Sequence, residues 1–395
     1  VSGGRTLDAL TGLRFVAALH VVLFHFASPS LVSAPQVLRD WVGAGYAAVG
    51  VFFVLSGFVL AWNYLDVDGR MEAPPRAFWA ARVARVYPVY VLAFILSAPT
   101  TIAVSVGANG WKLATAKLTV CGLSALALLQ AWVPRLALYW NPPGWSVAVE
   151  ASFYGLFPWL ARGLPRLRPT WLPVALGGTW ALGMAPPLLY LWLLPDGPGP
   201  VDAASSGPWL MALKFNPLAR LPEFLFGVLL GWCFVRERAA GARKGSGAVL
   251  AALGTALLVG AGAAGPRLPY PLMHNALLAP ASGLLVYGLA RGGGALGWLL
   301  ARPTLVRLGG ASYALYLLQY PVSVAVFALA DGLSPWVELR THGRLLALVL
   351  LLGVSASLWV HRFVETPLRA RVREALKRWV GSRRGADAGT VVSGT

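Results

Sequence analysis

The stretch LTGLRFVAALHVVLFHFA, residues 10–27, is apolar enough to enter a bilayer and yet carries Arg14, His20 and His25. Arg14 and His25 are 11 residues apart. At ~100° per residue they return to one helix face after three turns, separated by roughly 16 Å along the axis. A side chain that can ionise inside a bilayer faces the protein interior or a wet cavity, and it marks function by default. Snorkelling of Arg14 to one surface and His25 to the other would explain either residue alone, but it explains their shared stripe less well. A guanidinium grips anions with forked hydrogen bonds, and an imidazole that titrates near pH ~6.5 can take a proton from a hydroxyl. His20 lies off the stripe and is expected to pack or hydrogen-bond.

Other residues could work with this pair. Arg82 and Arg85 are three apart and therefore share a helix face. Glu150 follows the aromatic YWNPPGW by about a turn and a half of helix, which puts it at nearly the depth of His25. A buried carboxylate needs a partner. Bonding to one imidazole nitrogen would fix the tautomer and leave the other nitrogen free to take a proton. Glu223 ranks behind Glu150 for that role, because an ion pair with Arg220 is its simplest explanation. Ser56, in Ser56-Gly57-Phe58, sits mid-membrane, where small residues allow close helix approach and leave a slot for a slender ligand. With no evident base and no nucleophile elbow, Ser56 is not assigned as a nucleophile. Tyr313, Tyr316, Gln319 and Tyr320 fall largely on one stripe, read first as packing and second as the lining of a substrate path. Glu365 and Arg369 are four apart and suggest a helix-end ion pair. The remaining histidines, His274, His342 and His361, lie at span ends or in connections. Five scattered His and two Cys (Cys121, Cys233) suggest neither a metal site nor a disulfide.

Helices crossing a membrane must position these residues. The chain is 57% hydrophobic and 12% charged, with mean hydropathy +0.65, too few charges to cover a soluble protein of 395 residues. Its 17 Trp suit the membrane–water interface. The fold class expected is all-α, a polytopic bundle of about ten crossings: 9–28, 44–62, 79–98, 145–161, 171–194, 218–235, 247–264, 274–291, 308–330 and 344–362. The first apolar stretch holds Arg14 and lacks a small-residue cleavage site, so it is expected to stay as a span. An eleventh candidate, 118–133, is short. If it does not cross, the main basic clusters (Arg70 and Arg76, Arg162–Arg168, Arg236–Lys244, Arg291–Arg307 and the tail) fall on one side, and both termini are cytoplasmic. It then forms a re-entrant or surface segment. The net charge of +18 is explained by this topology, without nucleic acid. Residues 1–370 form one membrane domain, and 371–395 a basic cytoplasmic tail, disordered from about 380.

In this frame the motifs resemble the integral-membrane acyltransferase-3 family, which includes O-antigen O-acetyltransferases and macrolide O-acyltransferases. The resemblance rests on Arg14 and His25, then GVFFVLSGF (50–58), RVARVYP (82–88), PPGWSVAVEASFY (142–154), RLPEFLFG (220–227), SYALYLLQYP (312–321) and VETPLR (364–369). YWNPPGWSVAVE is most similar to the macrolide-type members. The extracytoplasmic hydrolase-like domain attached in some polysaccharide-modifying members is not present in this sequence.

The resemblance implies transfer of an acyl group, acetyl or short, from acyl-CoA to a hydroxyl of a carbohydrate or polyketide in a bacterial cytoplasmic membrane. Acyl-CoA, expected as acetyl-CoA, would be a co-substrate and not a resident cofactor. Arg14, Arg82 and Arg85 would hold its phosphates or pantetheine arm from the cytoplasmic side. His25, oriented by Glu150, would act as general base. A covalent acyl-histidine is a mechanistic variant. The alternative of another class is a proton-coupled transporter or flippase using His25 and Glu150, weakened by the lack of a visible inverted repeat.

Overall fold

The computed structural model describes residues 7–241, 247–333, 342–372 and 374–375. The disordered tail expected from about 380 and the basic residues Arg243 and Lys244 lie outside these residues.

Every regular element among the described residues is helical. In chain order the helices are α1 (Asp8–Phe26), α2 (Gln36–Gly43), α3 (Ala48–Tyr64), α4 (Pro75–Leu126), α5 (Gly144–Gly163), α6 (Leu172–Leu193) and α7 (Pro208–Phe215). They continue with α8 (Pro217–Ala239), α9 (Gly247–Ala264), α10 (Tyr270–His274), α11 (Ala279–Ala290), α12 (Gly294–Leu300), α13 (Pro303–Leu333) and α14 (His342–Val360). Among the described residues, eight helical stretches are long and apolar enough to cross a membrane. They account for eight of the ten expected crossings. The other two are helical without meeting that standard. α5 is long enough but interrupted by Glu150 and other polar residues, and α11 has 12 residues. Leu182, Trp192, Val249, Leu351 and Trp359 leave large apolar surfaces on the outside of the bundle, as lipid-facing helices do.

Segment 118–133 packs back against the first part of α4. α4 breaks at Gly110, whose φ of 68° is a left-handed conformation that glycine adopts without a Cβ clash. The chain then folds back, and the hydroxyls of Tyr87 and Tyr90 donate to the carbonyls of Leu126 and Ala125 at 3.1 and 2.9 Å. Trp140, on the return path, stacks on Phe94 with ring centroids 4.2 Å apart.

α3 and α8 form the spine of the bundle. A Cβ on Gly57 would run into the Phe224 carbonyl, and one on Gly227 into that of Val54, so backbone packs on backbone. That contact explains much of the GVFFVLSGF and RLPEFLFG patterns. α1 lies beside α13 and runs in the same direction, with Thr11 next to Gly309 and His25 next to Gln319.

Candidate active site

Two adjoining cavities hold most of the candidate residues. The first has about 860 Å³ of empty space between α1, α3, α4, α5 and α13. Arg14, Arg82 and Arg85 line it, together with Glu150, Ser56 and Tyr313. The second, also about 860 Å³, holds His25 beside aromatic walls from Tyr46, Trp145, Phe215 and Tyr270. Val49 and Tyr316 line both. The shared stripe of Arg14 and His25 therefore gives one residue to each cavity.

The three arginines are held differently. Arg82 donates to the Tyr64 hydroxyl at 2.9 Å and lies over the rings of Tyr64, Phe78 and Tyr154, while its buried Nε has no hydrogen-bond partner. Arg85 faces Glu365 at 3.7 Å. Arg14 makes no hydrogen bond or ion pair to a described residue and lies within electrostatic reach of Arg85, Glu150 and Arg82. Three cations against Glu150 on the lining and Glu365 at Arg85 leave the cavity with more positive than negative charge, the condition for holding an anion.

Glu150 does not meet His25, which corrects the expected pairing. Its Oε1 accepts from the Ser56 hydroxyl at 2.6 Å, across α3 and α5, in the first cavity. The depth estimate failed because α5 starts deeper than a surface helix would. The connection after the α4 hairpin dips inward, and Gln130 donates to both the Gly144 carbonyl and the Tyr90 hydroxyl, at 3.1 and 2.9 Å. Tyr90 is about 7.5 Å along α4 from Arg85, and Glu150 about 9 Å along α5 from Gly144, so the carboxylate arrives at the level of the arginines.

The partner of His25 is Gln319, with 2.9 Å between Nδ1 and Oε1. The Gln319 amide is oriented by its Nε2, which donates to the Tyr316 carbonyl at 2.8 Å. Carbonyl oxygens only accept, so Oε1 must face His25, and Nδ1 must carry the proton. Nε2 of His25 is then the free base.

Two further corrections concern acidic residues. Glu223 lines neither cavity: it pairs with Arg220 at 3.0 Å, both buried, so it is no part of a substrate path. Arg220 also donates to His274 and its carbonyl, which draws that histidine into the same cluster. Glu365, expected to pair with Arg369, accepts instead from His361 Nδ1 at 2.9 Å and faces Arg85. A π-helical turn over His361–Glu365 extends α14. His20 packs as expected, stacked on Trp41 and donating to its carbonyl at 2.8 Å.

Residues of the α6–α7 connection roof the second cavity. Lys214, buried, donates to the carbonyls of Ala203 and Ser205 at 3.0 and 2.7 Å. Asp202 shapes the same loop, and hydrogen bonds from Ser205 and Ala204 hold its carboxyl below the usual range. Asn141 anchors the opposite wall by donating to the Leu317 carbonyl at 3.1 Å. The sequence singled out neither Lys214 nor Asn141, and Gln319 only as part of a stripe. The adjacency of helices distant in the chain decides all three roles.

Comparison with known proteins agrees with the motifs. The family model described as an acyltransferase domain, Acyl_transf_3, matches residues 7–360. The chain is 30% identical over 388 residues to acyltransferase MdmB of Streptomyces mycarofaciens, covering 91% of each protein. It is 30% identical over 336 residues to exopolysaccharide production protein ExoZ of Rhizobium meliloti, covering 83% of this chain and 91% of that one. A putative O-acetyltransferase of Staphylococcus aureus matches 164 residues at 25% identity, covering 39% of this chain and 24% of that one. No solved structure matches. A membrane bundle with a cationic cavity beside a histidine-bearing one, carrying this family's domain along nearly its whole length, belongs to the acyltransferase-3 family and is a membrane acyltransferase.

Proposed function

We propose that this chain transfers an acyl group from acyl-CoA, with acetyl-CoA as the expected donor, to a hydroxyl of a carbohydrate or macrolide-type acceptor. The observation that carries this reading is the separation of charge and base between adjoining cavities. Arg14, Arg82 and Arg85 line one, and His25 opens on the other. The phosphates of coenzyme A are the anions for which three guanidinium groups are suited. Glu150, tied to Ser56, tempers that charge and shapes the donor cavity. It does not serve as the partner of the base.

In the proposed reaction the acceptor hydroxyl gives its proton to Nε2 of His25 as its oxygen attacks the thioester carbonyl carbon. The C–S bond breaks, coenzyme A leaves as thiolate, and the imidazolium returns the proton to sulfur. Gln319 keeps Nδ1 protonated and the ring aimed. Proton transfer of this kind contributes about 100- to 10,000-fold in rate. The basic connections at the end of the bundle where α1 begins support an orientation in a bacterial cytoplasmic membrane with that end and both termini on the cytoplasmic side, from which acyl-CoA would arrive.

Free thiol release from acetyl-CoA by membranes containing the protein, together with mass spectrometry of metabolites and envelope glycans from a deletion strain, tests the reading. It expects thiol release and an acylated product missing from the deletion strain. A product formed without acyl-CoA, or substrate movement without thiol release, would contradict it. Labelling of cysteines introduced at positions 165, 200, 240 and 388 should report inside, outside, inside, inside. Labelling of 165 and 388 from outside would overturn the orientation.

A further inference from the structure

We propose that Tyr316, together with Val49, is the gauge that sets which acyl chains the enzyme transfers. The inference rests on the donor–acceptor reading above and extends it to the size of the transferred group. If the coenzyme phosphates are held among the arginines and the base is His25, the acyl end of the donor must reach from one cavity to the other. Val49 and Tyr316 are the residues that line both, so the acyl group meets them at the crossing.

The Tyr316 ring is held firmly. Its hydroxyl accepts from Ser146 Oγ at 2.8 Å, the same serine hydroxyl lies 3.2 Å from the Pro143 carbonyl, and Phe52 meets the ring edge-on with centroids 6.1 Å apart. Tyr316 is 8% exposed and Val49 5%, so both sit inside the bundle. A wall of fixed side chains discriminates by volume, and one methylene in a close-fitting apolar site is worth about 10- to 200-fold in specificity.

The gauge is also separable from the catalytic base. Gln319, which orients His25, is held by the backbone carbonyl of Tyr316 and not by its ring. Changing the Tyr316 side chain therefore leaves that hydrogen bond in place, and chain-length preference can change while the base stays aimed.

The test measures thiol release from acetyl-, butyryl- and hexanoyl-CoA in membranes at matched protein amounts, for wild type, Tyr316→Leu, Tyr316→Phe, Val49→Ala and Val49→Phe. Wild type should favour acetyl-CoA. Tyr316→Leu should raise the butyryl-to-acetyl ratio of kcat/KM about tenfold or more. Val49→Ala should move the ratio the same way by less, and Val49→Phe should lower it. Tyr316→Phe keeps the ring and should stay near the wild-type ratio. Ratios unchanged in both Tyr316→Leu and Val49→Ala, with acetyl transfer intact in wild type, would overturn the gauge and leave the donor reading standing. No thiol release from any acyl-CoA by wild type would overturn the donor reading and the gauge with it.

Discussion

Two arginine–carboxylate clusters lie inside this bundle, and they differ in whether their charges are matched and in whether they line a cavity. At the start of α8, Arg220 is fully buried, paired with Glu223 and bonded to His274, with Asn275 at 3.4 Å. Its charges are matched, one cation against one anion, and neither charged group lines either of the two cavities. Arg14, Arg82 and Arg85 form the open counterpart. They line a cavity together with Glu150, and among the described residues only Arg85 of the three has an ion pair, with Glu365. The residue types are nearly the same, so type alone does not separate a structural charge from a functional one. An unmatched charge beside a cavity is what marks the functional cluster.

The largest effect on activity should come from the base that the open region serves. His25→Ala should fold and insert yet lose about 100- to 10,000-fold in transfer, measured as thiol release at matched protein amounts. Near-normal transfer would remove His25 from the mechanism. The matched cluster should fail in the opposite way. Arg220→Ala leaves Glu223 buried without its counter-charge, a change that costs about 3–5 kcal/mol, and detergent-resistant folded protein should fall sharply on size-exclusion chromatography. Arg14→Ala should leave the same profile unchanged. If the two variants behaved alike, the distinction between the clusters would be lost.

Smaller effects sharpen the comparison within the open region. Arg82→Ala and Arg85→Ala should each raise the KM for acetyl-CoA about tenfold, with Lys milder because the charge survives and the fork does not. Arg85 already faces Glu365, so its effect should be the smaller of the two. Gln319→Leu should lower kcat about tenfold with donor KM unchanged, and Gln319→Glu should recover part of the loss by again accepting from Nδ1. Combining Gln319→Leu with His25→Ala should cost little beyond His25→Ala alone, because groups acting as one unit are not additive.

Much of this was legible in the sequence, and the losses have identifiable physical causes. The crossing helices and the fold-back of 118–133 followed from hydropathy and the distribution of Arg and Lys. Helical periodicity put Arg14 and His25 on one stripe, and the short spacing of Arg220 and Glu223 gave their ion pair. What failed were contacts between helices far apart in the chain. Glu150 was set too shallow because the dipping connection before α5 leaves no mark in hydropathy. Gln319 was not seen as the partner of His25 because sequence says nothing about α1 lying beside α13. Glu365 meets His361 four residues before it, the same spacing that suggested Arg369 four residues after it, and faces Arg85 on α4, a choice that spacing alone does not make.

Binding of radiolabelled acetyl-CoA to purified protein in lipid nanodiscs tests the division between the two cavities most directly. Wild type, His25→Ala, Arg14→Ala and the Arg82→Ala/Arg85→Ala double variant should be compared. The account expects His25→Ala to bind as wild type does, while both arginine variants bind at least tenfold more weakly and remain folded. Wild-type affinity in the arginine variants, or loss of binding in folded His25→Ala, would contradict it.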